Sequence, residues 1–442
     1  MENEAGSLVI YADKSSPRLQ YILDFIFKEQ FLVSYRLVTD LSFINSKDGP
    51  LINYSNKEIP AAINILPAKL LFEDFTSIQK VAIKKQEKTP YLFFDDAENF
   101  DLLAACFYLL TRYEEYNHAG LDEFGRYPHT ASIAYREGFL HLPMVDVWLK
   151  RFEETIRSKF PKLRIQRQPF QYLPTYDIDH AYFLKGKPFF QQAGSLLQKD
   201  RRLRWQIWTG KTNDPYDAYD ALDQWHEELQ SDPAYFFLVA AKRGQYDKNI
   251  SPDSDALQQL TRQTASKYRI GLHPSWQSSA KPILLKDEKN RLENIAKKSI
   301  AISRHHYLKF LLPGTYRNLL ANGITTDYSM GYGGANGFRA STGLSFYWFD
   351  LEKNSATPLR IIPFCFMDAN SFYEQKQDAA QTLKELTQLL YTCKKYHTPC
   401  CTIFHNNFLG SHPQFTGWNK MYGEFLKLTK LPVSDAVFSH CS

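Results

Sequence analysis

The sequence is poor in cysteine: six in 442 residues, with no C-x-x-C pair. That density excludes a disulfide-stapled scaffold, and no recognisable ligand spacing points to a zinc–thiolate site. Cys106, Cys365, Cys393, Cys400, Cys401 and Cys441 are expected mostly as buried free thiols that pack like small hydrophobes. Cys400 and Cys401 lie in an apolar run with the look of a strand, which sends neighbouring side chains to opposite faces. Long hydrophobic runs are missing too. The stretch LLAACFYLL (102–110) is about half of the ~20 residues that a membrane-spanning helix needs. Charge is nearly balanced, with 53 Lys and Arg against 48 Asp and Glu and a net +5. So small an excess, spread over the whole chain, lacks the dense basic stripe of a nucleic-acid binder. The opening MENEAGSLVIYAD is acidic and has neither the basic nor the apolar region of a signal peptide. A soluble cytoplasmic protein is the expectation. Internal repeats and long low-complexity tracts are absent.

What is present is an ordinary globular composition, 44% apolar and 23% charged. At roughly 150 residues per domain, the length suggests two or three domains with sizeable cores. The N-terminal part opens with a strand, LVIYA, and a helix from Pro17 to about Phe31, with Leu19, Ile22, Leu23 and Ile26 at helical spacing. Short apolar runs follow at 61–66 and 91–94. The segment 101–116 predicts a helix packed on several sides, and 143–159 another with Pro143 in its first turn. SKFPKLRIQRQP, with two prolines and several basic residues, is the most plausible boundary. It divides the chain into an N-terminal domain, 1–165, and a second domain, 166–442.

From about residue 170, strands and helices alternate. Strand candidates are QYLPTYDID, AYFFLVA, RIGLH, ISRHHYLKF, ITTDYS, LRIIPFCFMD and CCTIFH. The pattern argues for a parallel sheet covered by helices, and the number of strands favours a barrel over an open sheet. Most of these strands end in ionisable residues: Asp177 and Asp179, His273, Arg304 with His305 and His306, Asp327, Asp368, and His405. An ionisable group closing an apolar strand meets a desolvation cost. Active sites of α/β barrels assemble at this end of the strands, from residues far apart in sequence.

The residue types form a coherent chemical set. Asp177 and Asp179, two apart on a strand, point to the same side. One carboxylate can hold a metal while the other serves as a base. A histidine from another strand is a natural second ligand for zinc or a related divalent ion. Such an ion brings the pKa of its water towards ~7, and a further histidine can protonate a leaving group. This is the outline of metal-assisted hydrolysis.

TYDIDHAY, GLHPSW, SRHHYLKF, DYSMGY and TIFHNN, in this order, resemble the polysaccharide deacetylases of the NodB-homology type, which are carbohydrate esterases. The resemblance covers roughly residues 170–410. It implies a deformed (β/α)7-type barrel, here preceded by a smaller α+β or α/β domain. That N-terminal part resembles a poorly characterised domain found before such modules in some bacterial proteins. The resemblance also implies Asp177 as catalytic base, Asp179 and His273 as ligands, Arg304 as the residue orienting the base, and His405 as general acid. The cofactor would be a divalent metal, zinc first, with cobalt or nickel as alternatives. The substrate would be a carbohydrate or another molecule bearing an N- or O-acetyl group.

Two departures from the family pattern bear on the site. Ile178 separates the two aspartates, which the family usually has adjacent, and Gln277 stands where a second motif histidine is expected. His306 is the preferred replacement ligand, with His305 and His180 behind it; in an extended segment His305 and His306 face opposite ways. Asp327, Arg339, Asp368 and Trp276 are candidates for substrate contact. Asp327 equally suits a turn, Asp368 a helix cap, and Arg339 a plain surface loop. The glycine cluster GYGGANG (331–337) lacks a Walker lysine and argues against a phosphate cradle. Aromatics make up 15% of the chain, which core packing alone explains. Two other readings remain: a metal-independent glycosidase using the carboxylates, and a catalytically weak or inactive deacetylase-like protein that binds carbohydrate or serves in assembly.

Overall fold

The computed structural model describes residues 8–44, 49–86, 89–94, 100–118, 120–195, 200–279 and 281–432. Cys441 lies outside them. In the N-terminal part, β1 (Leu8–Ala12), β2 (Tyr35–Val38), β3 (Leu51–Tyr54) and β4 (Ile63–Ile65) form a parallel sheet in the order β2-β1-β3-β4. Every residue of β1 is buried, which accounts for its unbroken apolar sequence. The helix after it is capped by Ser16, whose hydroxyl accepts the Leu19 N–H, and has Pro17 in its first turn. It is α-helical over Pro17–Leu23 and widens to a π-helix over Asp24–Gln30, where the sequence predicts one continuous α-helix. β2 and β3 are not foreseen in the sequence; β2 buries only Val38 fully and so shows no clean alternation. β5 (Ile83–Gln86) and β6 (Thr89–Leu92) make a small antiparallel pair. The helix Leu102–Leu110 is buried on every side, as its composition predicts. Pro143 sits at the N-cap of the helix Met144–Lys159, one position earlier than expected.

The second sheet contains β7 (Tyr172–Ile178), β8 (Ala234–Phe237), β9 (Arg269–Leu272), β10 (Ile302–Ser303), β11 (Thr326–Asp327), β12 (Phe346–Asp350), β13 (Ser355–Ile361), β14 (Phe366–Met367) and β15 (Cys400–His405). Its order is β12-β13-β11-β10-β9-β8-β7-β15-β14. Only β12 runs antiparallel to its neighbour. The single strand expected over 359–368 is thus two, β13 and β14, interrupted around Pro363. These two lie at opposite sides of the sheet, seven strand spacings apart, or ~34 Å if the sheet were flat. The chain from Ile361 to Phe366 reaches at most ~18 Å. The sheet must therefore curl, and it does. Phe364 N–H donates to the Met330 carbonyl at 3.2 Å and Cys365 N–H to the Cys401 carbonyl at 3.0 Å, drawing the two edges together. The result is a curled nine-stranded half-barrel in a mixed α/β fold.

One apolar core is continuous from the N-terminal sheet into the half-barrel. Tyr21 Oη donates to the Tyr347 carbonyl at 2.6 Å, and Trp348 Nε1 donates to Tyr116 Oη at 3.2 Å. The five described cysteines are buried and free. Cys400 and Cys401 enter separate apolar clusters, as alternation on β15 requires. The fold also gathers the sulfurs of Cys365, Cys393 and Cys400 within 4.8 Å of one another, a grouping that their spacing along the chain hides. Among the described residues, no helix is long and apolar enough to cross a membrane.

Candidate metal centre and active site

The ends of the parallel strands bring Asp177, Asp179, His273, His306 and His405 to one cleft, with Arg304 buried behind Asp177. Asp177 lies on β7 directly beside His405, its register partner on β15. His273 follows β9 and is fixed by its N–H bond to the Phe237 carbonyl, 3.0 Å. Arg304 follows β10, its N–H donating to the Leu272 carbonyl at 3.0 Å. His306 opens a short 3₁₀ turn in which Tyr307 and Leu308 both take positive φ, 58° and 52°. Those conformations cost energy for non-glycine residues. The His306 N–H donates to the Pro274 carbonyl at 3.0 Å, and its ring reaches Asp179.

Asp179 is the centre of the arrangement. Its Oδ1 lies 3.0 Å from His273 Nε2, and its Oδ2 lies 3.1 Å from His306 Nε2 and 3.4 Å from His405 Nε2. Behind the ring of His273, Nδ1 bonds the Arg304 carbonyl, and behind His306, Nδ1 meets Asp247 Oδ1 at 2.9 Å. A carbonyl or carboxylate oxygen can only accept, so both Nδ1 atoms donate. In the neutral rings each Nε2 then presents a lone pair to Asp179. Asp179 Oδ1 is buried and has no hydrogen bond of acceptable geometry despite its closeness to His273. Two Nε2 atoms that can shed a proton and an orphaned carboxylate oxygen form a donor set for a cation. Zinc–ligand bonds of ~2.0–2.2 Å in a tetrahedron place ligand atoms ~3.3 Å apart, close to the spacings here. The residues present fit a divalent metal.

The carboxylates and histidines of the site shift one another's charge. Burial acts to lower His306, but Asp179 and Asp247 outweigh it and raise its pKa to about 9. Burial acts to raise Asp179, yet His306 and His273 hold it well below the usual carboxylate range. Burial likewise opposes protonation of His405, and Asp368 together with Asp179 more than compensates, leaving it well above an ordinary histidine. Asp368 Oδ1 accepts from His405 Nδ1 at 2.6 Å, and its Oδ2 from the His405 backbone N–H at 2.7 Å. Arg304 is fully buried and donates from Nη1 to Asp177 Oδ1 at 2.8 Å and from Nε to the Tyr328 carbonyl at 3.1 Å.

The cleft has a volume of about 260 Å³. Aromatic side chains from several segments wall it, among them Phe124, Tyr246, Tyr307, Tyr373 and Phe408.

Residues 8–161 match the model of a family of unknown function, DUF7033. No curated protein matches the chain significantly. Among solved structures, the chain is similar to a polysaccharide deacetylase from Bacillus cereus, at 13% identity over 61% of this chain and 94% of that one, TM-score 0.29. It is similar to the Puue allantoinase at 10% identity, over 62% and 90% of the two chains, TM-score 0.39. A third is a mutant of a CE4-family pseudoenzyme with restored enzymatic activity, at 6% identity over 59% and 64%, TM-score 0.29. No residue role passes to this chain from any of them.

The substrate-contact candidates fare differently from the central residues. Asp327 is fully buried and accepts from Ser303 Oγ (2.9 Å) and from Ser329 N–H and Oγ (2.9 and 3.0 Å), and burial raises its pKa to about 6. It braces the loop after β11 and does not line the cleft. Arg339 is also buried, forked onto Glu115 at 2.9 and 2.6 Å with its guanidinium 4.1 Å from the Phe310 ring centre, and so ties the half-barrel to the N-terminal part. Trp276 stands outside the cleft, packed on Tyr246 at 4.7 Å. Asp368 acts through His405 rather than facing the cleft. The reserve ligands line the cleft but stand outside the ligand cluster. His305 lines the cleft with both ring nitrogens unpartnered, and burial lowers its pKa to about 3; burial lowers His180 to about 4. Gln277 turns its amide to Asp247 at 3.4 Å.

Asp247 escaped the sequence reading. It lies ten residues past the end of β8, in a loop without apolar periodicity, closed by the Gly244 N–H bond to its carbonyl at 2.9 Å. One signal was present: β8 was the strand candidate to which no ionisable end residue was assigned.

Proposed function

We propose that this chain is a metal-dependent hydrolase that removes an N- or O-acetyl group from a carbohydrate. In this reading Asp179, His273 and His306 hold the divalent ion, with zinc first and cobalt or nickel as alternatives. The observation that carries it is the convergence of Asp179 with the Nε2 atoms of two histidines, each ring fixed from behind. Histidine ligands are commonly oriented in this way by an acceptor on the far nitrogen. A bound divalent ion supplies Lewis acidity towards an acyl carbonyl. The remaining work belongs to the side chains. Asp177, held in place by Arg304, takes a proton from the attacking water. His405, charged at neutral pH through Asp368, gives a proton to the departing amine or alkoxide at its Nε2. Arg304 and Asp368 are positioning residues. Residues 1–165 and 166–442 form two units of this machine, the second bearing the chemistry.

The test is acetate release from N-acetylglucosamine oligomers and from an acetylated aryl ester, before and after chelation. Release that is lost on chelation and restored by zinc, cobalt or nickel is expected. Release that ignores the chelator contradicts the reading.

A further inference from the structure

The small excess of positive charge is not spread along the chain as its total suggests. Residues 185–195 and 200–211 hold six Lys and Arg against one Asp, an excess equal to the +5 of the whole protein. They belong to the excursion between β7 and β8. Its two ends are tied by Asp214, whose carboxylate accepts the N–H groups of Phe183, Leu184 and Lys185 at 2.8, 2.7 and 2.9 Å. Beyond this knot lie two helices, Phe189–Ser195 and Arg201–Trp208.

The second helix is half apolar, with Leu203, Trp205, Ile207 and Trp208 among its eight residues, yet none of the eight is fully buried. A helix on a globular surface normally turns its apolar stripe to the core. Here the rings are left to solvent: Phe189 is 62% exposed, Phe190 86%, Trp205 50% and Trp208 39%. They touch one another in a row, Phe190 to Phe189 at 5.9 Å between centroids, Phe189 to Trp208 at 6.2 Å and Trp208 to Trp205 at 5.4 Å. Arg201, Trp205 and Trp208 follow at i, i+4 and i+7 and so share one face of the helix. Arg201, Arg202 and Lys211 are exposed, while the one acid, Asp200, is turned to His412, 3.9 Å away.

A continuous ridge of Phe and Trp flanked by Arg and Lys suits the boundary between lipid headgroups and acyl chains, with rings inward and cations on the phosphates. A single-stranded nucleic acid needs separate ring faces on which bases can stack. Interplanar angles of 78°, 49° and 49° along this row leave no parallel platforms. A second copy of the chain would set like charges against each other around the ridge.

We infer that the excursion at 185–211 is an interfacial anchor that docks this protein reversibly on a bilayer surface rich in anionic phospholipid, with no segment crossing it. The inference uses none of the residues of the metal centre and stands apart from the hydrolase reading.

The test is co-sedimentation of the full chain with vesicles of phosphatidylcholine alone and of phosphatidylcholine mixed with phosphatidylglycerol. The mixed vesicles should bind at least tenfold more tightly, and raised salt should release the chain, because exposed charges are screened. Each Lys or Arg at such a surface strengthens binding by roughly fivefold, so Arg201→Glu with Arg202→Glu should weaken it at least tenfold. Phe189→Ser with Phe190→Ser should weaken it as much while leaving the charge unaltered. All four side chains are exposed, so the fold does not depend on them. No binding to the mixed vesicles, equal binding to both kinds, or binding unmoved by either pair of substitutions overturns the inference. So does a dimer that forms without lipid and is dispersed by Phe189→Ser with Phe190→Ser, which gives the ridge to a second copy. An oligothymidylate that binds more tightly than the mixed vesicles gives it to a nucleic acid and overturns the inference too.

Discussion

Asp247 holds the back of His306: its Oδ1 lies 2.9 Å from His306 Nδ1, while His306 Nε2 faces Asp179 at 3.1 Å. The carboxylate itself is held by the Trp276 backbone N–H at 2.9 Å. It therefore fixes both the tautomer and the plane of the ring. Asp247→Ala should weaken zinc binding by about 10–100-fold, the usual cost of removing such a support, with the fold retained. Competition against a chromophoric chelator measures it, and an unaltered affinity would show that His306 needs no support.

Replacing the histidines one at a time separates ligand from neighbour. His306→Ala should reduce metal affinity far more than His305→Ala, because His305 touches none of the other proposed ligand atoms although it lines the same cleft. Losing one of three protein ligands leaves an under-coordinated ion. Equal losses in the two variants would move the third ligand elsewhere.

Asp177→Asn keeps the shape and removes the base. Turnover should fall by about 10²–10⁴-fold, the range for positioned proton transfer, with metal content unchanged. Arg304→Ala should instead destabilise the fold by about 3–5 kcal/mol, because it leaves a buried carboxylate without its partner. Turnover of Asp177→Asn equal to wild type would remove the proposed base.

His405 sets the alkaline limb of activity. Asp368 first, and Asp179 with it, raise its pKa against the opposing effect of burial, so the proton it donates persists above the ordinary histidine range. Activity should fall as pH rises through that raised value. In Asp368→Asn the charge is gone, so the falling limb should shift to lower pH while metal affinity stays the same. The stability contribution has the same sign: it is full below the unfolded pKa of ~6.5 and is lost as pH rises through the folded value. A pH–rate profile compares the two proteins, and coincident alkaline limbs would dissociate His405 from the proton transfer.

Much of this geometry is legible in the sequence for a physical reason. Asp177, Asp179, His273 and His405 terminate apolar strands, where an ionisable group is costly to bury without a purpose, and the structure gathers all four. The rule has no power over residues whose polar partners are internal. Asp327 and Arg339 look no different in the sequence from ligand-binding groups, yet one braces a loop and the other pairs with Glu115. The sequence offers His306 only as the preferred replacement for a missing motif histidine, because the groups that fix it, the Pro274 carbonyl and Asp247, lie far from it along the chain. Asp247 and Phe124 sit in loops, where periodicity says nothing. The curl of the sheet follows from a short connection, residues 362–365, which the unbroken apolar run LRIIPFCFMD hides.

The central claim is a divalent-ion site made by Asp179, His273 and His306, and cobalt(II) titration tests it most directly. Cobalt reports its own ligands, so it also discriminates this site from the buried cluster of Cys365, Cys393 and Cys400. The account predicts one cobalt per chain at micromolar concentration and neutral pH, with a visible spectrum free of thiolate charge transfer, and loss of that binding in Asp179→Ala. No uptake of cobalt, or uptake with thiolate charge transfer that survives in Asp179→Ala, would contradict it.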